Sequence, residues 1–235
     1  MSQYVLDMHH TGLFVRRGIP ADPYIINEVP TYAALAVGPD DTVLDLGANI
    51  GAMSHRFLSD GAKHVISVEP FPDNIDMLRR NLSSFDSSRY TILEAAVAGR
   101  ESGQVMTLYT PDTNFGMISV MKHDIDYARL TGEIQVFTVK FDELVVQYQP
   151  TIIKCDVEGA EMNFVSDLVA LPDSVKQLAI EWHNFEPHLE DQAMYDAHIY
   201  AHSTLIRHCG FSLISQSGEL IPGQHSSLLC IYSRR

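Results

Sequence analysis

The sequence predicts an α/β fold with a seven-stranded, mostly parallel sheet, helices on both faces and an antiparallel last strand. Three observations support this prediction. From residue 39 onward, short apolar stretches alternate with helical segments, which is the pattern of a parallel sheet with crossover helices. A glycine-containing loop follows the first of these strands. The last two predicted strands have no helix between them and therefore form an antiparallel pair.

The predicted elements follow one another in a regular order after an irregular start. Glycines and prolines interrupt residues 1–38, which we interpret as an N-terminal segment or cap ahead of a domain at 39–235. Strands are predicted at Thr42–Leu46, His64–Val68, Tyr90–Glu94, Gln104–Tyr109, Ile134–Val139, Thr151–Cys155, Gln177–Glu181, Phe211–Ser215 and Ser227–Tyr232. Helices are predicted from Gly51 to about Leu58 and at Asp73–Leu82, Gly159–Val169 and Gln192–His208, with Pro72 in a first turn and Gly210 as a C-cap. The stretch Pro111–Gly132 interrupts the alternation and is predicted to be a loop or lid, with Asn114 and Ser119 as candidate acceptor contacts.

Composition and charge narrow the class of protein. The hydrophobic content of 46% and charged content of 20% are ordinary for a globular protein. No apolar run reaches the ~20 residues of a membrane span, and no secretory signal is visible, so we expect a cytoplasmic protein without a membrane partner. Its three cysteines, Cys155, Cys209 and Cys230, are widely spaced, and Cys155 and Cys230, which lie in apolar strand-like runs, are expected to be buried reduced thiols. The formal charge of −14 disfavours a nucleic-acid partner, and the oligomeric state is left open.

The loop after the first strand, Asp45-Leu46-Gly47-Ala48-Asn49-Ile50-Gly51, is the first candidate cofactor site. Gly47 permits a tight turn and a close approach to a ligand, and Gly51 lets the next helix begin against the loop. Asp45 can accept a hydrogen bond from a cationic amine or from a loop N–H. The glycine spacing is G-x-x-x-G, not the G-x-G-x-x-G of a pyrophosphate-binding loop. A turn of this kind also occurs with a purely structural role.

The loops after the next two strands add adenosine contacts. Glu69 closes the second strand about 20 residues after the glycines, where an acidic side chain binds ribose hydroxyls. Phe71 is predicted to lie against an adenine ring, for which the small residues Ala95 and Ala96 leave room. The alternatives are a surface glutamate before a proline turn, and alanines that serve strand-to-helix packing.

The most specific string in the chain is Ile152-Ile153-Lys154-Cys155-Asp156-Val157-Glu158-Gly159-Ala160-Glu161. It resembles the I-K-x-D-x-E-G-x-E signature of the FkbM-type methyltransferases. The Asp45–Gly51 loop, the Glu69-Pro70 pair and Phe141-Asp142-Glu143-Leu144 also resemble that family. The resemblance runs from about Tyr32 to Asn184 and departs from the family where Cys155 and Phe141 replace aliphatic residues.

This resemblance implies the class I methyltransferase architecture, which the strand plan also predicts. It further implies S-adenosylmethionine as cofactor and O-methylation of a hydroxyl on a small molecule, a sugar or a polyketide-like compound. Asp45, Gly47, Ala48, Asn49, Gly51, Glu69, Phe71, Ala95, Ala96 and Asp156 are then the candidate cofactor residues.

The candidate catalytic residues follow the fourth and fifth strands of the main sheet. Asp156 and Glu158 lie in one loop at the cleft, and His183 is the candidate general base because imidazole titrates near neutral pH. A structurally hydrogen-bonded histidine is the alternative. Glu161 is predicted to favour a helix dipole, and Lys154 to pair with a neighbouring carboxylate without a catalytic role.

A metal-assisted reaction is the less favoured alternative. Asp156, Glu181 and Asn184 form an oxygen-rich set that would hold Mg²⁺ and polarise the acceptor hydroxyl. His198 and His202 are four residues apart on a helix, which permits metal binding. They lack the glutamate of an H-E-x-x-H motif, so we predict a solvated or partner-facing surface there.

Three rival functions remain open at this stage. One is an N-methyltransferase on the same fold, and another is a cofactor-binding protein that acts through its partners. The third is a nicotinamide-dependent oxidoreductase, which the glycine spacing and the lack of a Tyr-x-x-x-Lys pair disfavour.

Overall fold

The computed structural model describes residues 4–98, 102–111, 130–168, 170–184, 191–219 and 226–234. The strands in these ranges are β1 (Leu6–Met8), β2 (Phe14–Arg16), β3 (Thr42–Leu46), β4 (His64–Val68), β5 (Tyr90–Leu93), β6 (Ala96–Ala98), β7 (Val105–Pro111), β8 (Leu130–Lys140), β9 (Ile152–Cys155), β10 (Gln177–Asn184), β11 (Phe211–Gly218) and β12 (Ser226–Arg234). The α-helices are α1 (Ala21–Glu28), α2 (Ala52–Ser59), α3 (Pro72–Leu82), α4 (Phe141–Tyr148), α5 (Val165–Leu168) and α6 (Asp191–Arg207). Short 3₁₀ helices cover Val29–Tyr32, Ser87–Arg89 and Ala160–Phe164.

A seven-stranded sheet forms the centre of the molecule, in the order β11-β12-β10-β9-β3-β4-β5. The pairs from β5 to β10 are parallel, whereas β12 runs antiparallel between β10 and β11. Chain order reverses between β3 and β9, where ligands bind in open parallel sheets. The predicted fold class is therefore confirmed, with the reversed strand inserted second from the edge.

Side chains of alternate strand residues build one apolar core on each face of this sheet. On β3, Leu44 and Leu46 belong to the core under α4, α5 and α6, whereas Val43 belongs to the core under α2 and α3. Strands buried on both faces read as unbroken apolar runs, as Val43-Leu44 and Ile152-Ile153 do.

Most predicted boundaries agree with the structure within a few residues, but the N-terminal segment and the helix predicted after β9 differ from the prediction. The first 38 residues are not irregular, because they contain a hairpin of β1 and β2, helix α1 and a 3₁₀ turn. The predicted helix Gly159–Val169 is a 3₁₀ segment followed by the single turn of α5. Its start is distorted because Glu158 and Gly159 both have positive φ, of 53° and 91°.

The N-terminal residues pack onto the helices that follow the cofactor loop. The backbone of Phe14 exchanges hydrogen bonds with the side chain of Asn81 on α3. Arg16 is buried, and its Nε and Nη2 atoms donate hydrogen bonds to the carboxylate of Asp22. Its Nη2 also donates to Asn74 Oδ1 at 2.9 Å. This segment is therefore tied by polar contacts to the same helix that follows Glu69.

A second, three-stranded sheet of order β6-β8-β7 extends from the end of β5. Strands β7 and β8 extend further than predicted, so Pro111 and residues 130–132 are strand and not loop. Residues 112–129, with the candidate acceptor contacts Asn114 and Ser119, lie outside the described residues. Among the helices that the structure describes, none is long and apolar enough to cross a membrane.

Candidate active site

The loops that follow β3, β4, β9 and β10 meet at the carboxyl edge of the sheet. This edge carries the glycine loop, Glu69, Asp156 with Glu158, and His183. Parallel strands end at the same edge, which explains how residues far apart in sequence come together there.

The glycine loop uses all of its own N–H groups inside the protein. The N–H groups of Gly47 and Ala48 both donate to the Val68 carbonyl oxygen at 3.0 Å. Asn49 N donates to Glu69 Oε2 at 2.9 Å, Ile50 N to the Asn49 side chain at 2.8 Å, and Gly51 N to Ala48 O at 2.8 Å. A pyrophosphate-binding turn needs such donors directed at the ligand. This loop therefore does not offer the N–H cradle of a nicotinamide dinucleotide site.

Gly47 is the point where the loops after β3 and β9 touch. Its φ is +73°, and a Cβ added there would lie 1.7 Å from the carbonyl oxygen of Asp156. Only glycine fits both the left-handed backbone and this contact. The close approach explains why the sequence places Gly47 and Asp156 at the ends of neighbouring strands.

Glu69 is buried and joins its own turn to the glycine loop. Besides accepting from Asn49 N, its carboxylate accepts from Phe71 N at 3.0 Å and from the Asn74 amide at 3.3 Å. Burial raises its pKa, and these hydrogen bonds oppose that shift. Oε2 takes one donor in these bonds, so its second lone pair can accept from a ligand hydroxyl.

The candidate adenine residues lie beside Glu69. Phe71 and Ala96 pack in one small apolar cluster with Leu108 of β7 and Val136 of β8, and Ala95 is also buried. The structure thus brings these predicted residues together. Whether they contact an adenine stays a prediction.

Asp45 and Lys154 form a buried charge pair beneath the glycine loop. Asp45 Oδ2 accepts from Ser54 at 2.6 Å, and Lys154 Nζ lies 3.5 Å from Asp45 Oδ1 and 3.2 Å from Asp156 Oδ2. Lys154 also donates to the Gly47 carbonyl oxygen at 2.9 Å. Burial lowers the pKa of Lys154, but Asp156 and Asp45 outweigh it and the pKa is raised. The predicted pairing of Lys154 is confirmed, and a direct contact of Asp45 with a cofactor amine stays a prediction.

His183 sits at the centre of four carboxylates. Its Nδ1 lies 3.0 Å from Glu161 Oε1. Its Nε2 lies 3.8 Å from Asp156 Oδ1, 3.7 Å from Glu158 Oε2 and 3.9 Å from Glu181 Oε1. Glu161 is also buried and accepts from Val157 N at 3.2 Å, so it holds both the ring and the loop. Its role is therefore to orient His183, beyond the helix-dipole effect that the sequence suggested.

The surrounding charges hold protons on this cluster. Burial alone lowers the pKa of His183, but Glu158 and Glu161 outweigh it and raise the pKa well above its usual value. Burial raises the pKa of Glu158 well above its usual value, against the opposing effect of His183. Burial, followed by the charge of Asp156, also raises the pKa of Glu181. The neighbouring carboxylates therefore favour the protonated form of the His183 ring.

The N-terminal segment contributes side chains that the sequence analysis missed. Tyr32 Oη donates to Glu181 Oε2 at 3.0 Å across 149 residues of chain. Burial, then Glu181, raises the pKa of Glu28 to about 7, which places Glu28 in the same electrostatic environment. No local pattern distinguishes these residues, because their role depends on a contact that only the folded chain creates.

The donor set at His183 fits a divalent cation as well as a proton. One ligand atom each of Asp156, Glu158 and His183 lies within 4.8 Å of the others. Two carboxylates and an imidazole suit a transition metal better than Mg²⁺, which prefers oxygen. Glu181 lies beside this set, and the Asn184 side chain is outside the described part of the chain.

Residues 45–213 match the family model described as the Methyltransferase FkbM domain. The chain belongs to the FkbM methyltransferase family. The matched range includes the glycine loop, Glu69, Asp156, Glu158 and His183, so the predicted family is confirmed over the loops that form this edge.

One curated relative and two solved structures illustrate the range of similarity. The chain is 26% identical over 147 residues to the hexuronic acid methyltransferase AglP of Haloferax volcanii, a match that covers 61% of this chain and 56% of AglP. The structure is similar to Trm5b of Pyrococcus abyssi, with a TM-score of 0.53, 12% identity and coverage of 99% of this chain and 56% of that chain. It is also similar to a dimethyladenosine transferase of Plasmodium falciparum, with a TM-score of 0.50, 10% identity and coverage of 91% and 62%. At these identities the two structures bear on the fold alone.

Proposed function

We propose that the protein is an S-adenosylmethionine-dependent methyltransferase that methylates a hydroxyl group of a saccharide. The observation that carries the proposal is the hydrogen bond from Asn49 N of the glycine loop to the carboxylate of buried Glu69. This contact lies at the same edge of the sheet as His183. Membership of the FkbM family supports methyl transfer, and the name of AglP supports a sugar acceptor.

The glycine loop and Glu69 suit an adenosine ligand without a pyrophosphate. Because the loop N–H groups are bonded inside the protein, the loop provides shape and not anion-binding donors. Glu69 is the residue that we assign to the ribose hydroxyls. Phe71, Ala95 and Ala96 border the expected adenine position. When bound, S-adenosylmethionine supplies a methyl group on a positively charged sulfur.

The residues around His183 are assigned to the proton of the acceptor hydroxyl. Glu161 fixes the ring through Nδ1, so that Nε2 is directed at Asp156 and Glu158. At higher pH His183 loses the proton on Nε2, and this nitrogen can then accept a proton from the hydroxyl as the oxygen–methyl bond forms. We assign Asp156, the most exposed of these carboxylates, to orienting the acceptor.

The excess of carboxylates favours one second candidate, N-methylation of an amino sugar. Asp156, Glu158, Glu181 and Glu28 would attract an ammonium group and repel a uronate carboxylate. The choice between hydroxyl and amine is therefore made by the acceptor assay and not by the fold.

Calorimetric titration with S-adenosylhomocysteine tests the cofactor assignment. Glu69→Ala should weaken binding by about 10- to 100-fold, since hydrogen bonds to a charged group contribute about 1.5–3 kcal/mol. The matched control is Glu94→Ala, which removes an exposed glutamate at the end of the next strand. A 2′-deoxy analogue should bind wild type more weakly than the parent ligand but should bind Glu69→Ala no differently. Absence of binding to folded wild type would overturn the proposal.

Acceptor class is then tested by methyl transfer from S-adenosylmethionine to neutral sugars, uronates and amino sugars, each with EDTA or with added Mg²⁺ or Mn²⁺. Transfer to oxygen in the presence of EDTA supports the proton-accepting role of the His183 cluster. Transfer only with added metal would move the Asp156, Glu158 and His183 set to a metal-binding role. Transfer only to nitrogen would establish the second candidate.

A further inference from the structure

A second cluster of polar side chains lies on the opposite face of the sheet from His183. Trp182 stands between Glu181 and His183 in β10, and the strand pleat directs it into the core under α6. His198 of α6 contacts the Trp182 ring edge-on, with ring centroids 5.2 Å apart. His202 follows one turn later, and Cys230 and Tyr232 of β12 lie in the same core.

Burial of His198 contradicts the solvated or partner-facing surface that its spacing predicted. The residue is 7% exposed, and neither ring nitrogen has a hydrogen-bond partner among the described residues. Burial, followed by the neighbouring His202, lowers the pKa of His198 to about 4, so the ring is neutral at pH 7. A neutral imidazole has one N–H donor and one bare nitrogen, and burying both without partners costs free energy.

Three candidate ligand residues converge at this place. One nitrogen each of His198 and His202 and the Sγ atom of Cys230 lie within 4.8 Å of one another. In a tetrahedral zinc site, with Zn–N of about 2.0–2.1 Å and Zn–S of about 2.3 Å, ligand atoms lie roughly 3.5 Å apart. Side-chain movements that bring the ligand atoms about 1.3 Å closer together would close that difference. His202 Nδ1 also lies 2.9 Å from Tyr232 Oη, a contact of the kind that orients metal-bound histidines.

We propose that His198, His202 and Cys230 bind one divalent ion of the Zn²⁺ class, with the Tyr232 hydroxyl supporting or completing the ligand set. Two imidazole nitrogens and a thiolate form the mixed ligand set that such ions prefer over Mg²⁺ or Ca²⁺. Binding requires Cys230 to lose its thiol proton to solvent, and the metal charge offsets the burial that raises the pKa of this thiol. Partly exposed His202 provides the entry side, whereas Cys230 is fully buried.

The ion would fasten α6 to the back of the strand that carries the candidate active site. Cys230 of β12 pairs with Ile180 of β10, and Ile180 lies three residues before His183 on the same strand. The site is therefore structural, and it does not depend on the proposed methyl transfer.

Cobalt titration tests the proposal directly. Metal-stripped, reduced wild type should bind one equivalent of Co²⁺ and develop a thiolate-to-cobalt charge-transfer band, which Zn²⁺ then removes. The band identifies the site, because the Asp156, Glu158 and His183 set contains no sulfur. His202→Ala and Cys230→Ala should each abolish the band. His208→Ala and Cys209→Ala, which alter the same residue types just beyond α6, should retain it.

A melting experiment provides a second readout that does not need the buried cysteine variant to fold. A hundredfold excess of Zn²⁺ over its dissociation constant should raise the melting temperature of wild type by about 5–10 °C, and that of His202→Ala by much less. A wild-type protein that shows no charge-transfer band, or a band that survives in Cys230→Ala, would overturn the proposal in favour of an ion-free packed cluster.

Discussion

Replacing Gly47 by alanine tests the contact on which the site geometry depends. The added Cβ would lie 1.7 Å from Asp156 O, and real Cβ contacts stay beyond 3.0 Å, so the loops must separate by at least 1.3 Å. Such a shift breaks the hydrogen bonds from Asp156 N to Leu46 O, at 3.1 Å, and from Lys154 Nζ to Gly47 O, at 2.9 Å. These losses amount to about 2–4 kcal/mol, in addition to about 1–2 kcal/mol for alanine in a left-handed conformation.

The control for this experiment is Gly18→Ala. Gly18 has a similar φ of +83°, but no atom lies within 4 Å of an added Cβ, so the substitution carries the backbone strain alone. Urea unfolding should show a loss of about 3–6 kcal/mol for Gly47→Ala and about 1–2 kcal/mol for Gly18→Ala. Only the first variant should lose S-adenosylhomocysteine binding. Equal losses within about 0.5 kcal/mol would refute the reasoning, because the loop contact would then contribute nothing.

Three further experiments test the charged residues. Asp22→Ala leaves buried Arg16 without its carboxylate partner and should cost about 3–5 kcal/mol in urea unfolding, whereas Asp7→Ala breaks an exposed pair and should cost much less; similar losses would contradict the buried pairing. Since the pKa of Glu28 rises from 4.5 to about 7 on folding, its ionisation destabilises the fold as pH rises through that window. Glu28→Gln should therefore raise the melting temperature more at pH 8 than at pH 5, and a pH-independent effect would argue against the shift. Glu161→Gln removes a charge that raises the pKa of His183, so the ascending limb of the pH–rate profile should move to lower pH. An ascending limb at unchanged pH would exclude His183 as the group whose ionisation controls the rate.

The strands of the sheet could be predicted from the sequence because each central strand is buried on both faces. Runs such as Val43-Leu44 have one low-energy environment, between two helical layers, and the glycine loop fixes where the first strand ends. The string from Ile152 to Glu161 then placed the carboxylates at the same edge. Local pattern and global fold agree in these segments.

Local pattern was insufficient where a long-range contact decides the role of a residue. Tyr32 reaches Glu181 only because the N-terminal segment folds back over the sheet. His198 faces the core because α6 docks on β10 through Trp182, although Ile199 and Tyr200, the next two residues of the helix, are exposed. The same limit applies to His183, which has a histidine's usual pKa in the unfolded chain and a raised one among four carboxylates.

The charge balance at the active edge also bears on the direction of the proposed reaction. Four carboxyl groups surround the imidazole ring of His183, and Lys154 is already shared between Asp45 and Asp156. Under the proposed function, the methyl donor brings a positive sulfonium to this edge and the product leaves with a neutral thioether. The carboxylates therefore stabilise the bound donor more than the bound product. Because the sulfur loses its charge in the reaction, the product binds more weakly than the donor. Under the proposed function, the acidic residues would therefore serve the exchange of donor for product as well as proton transfer.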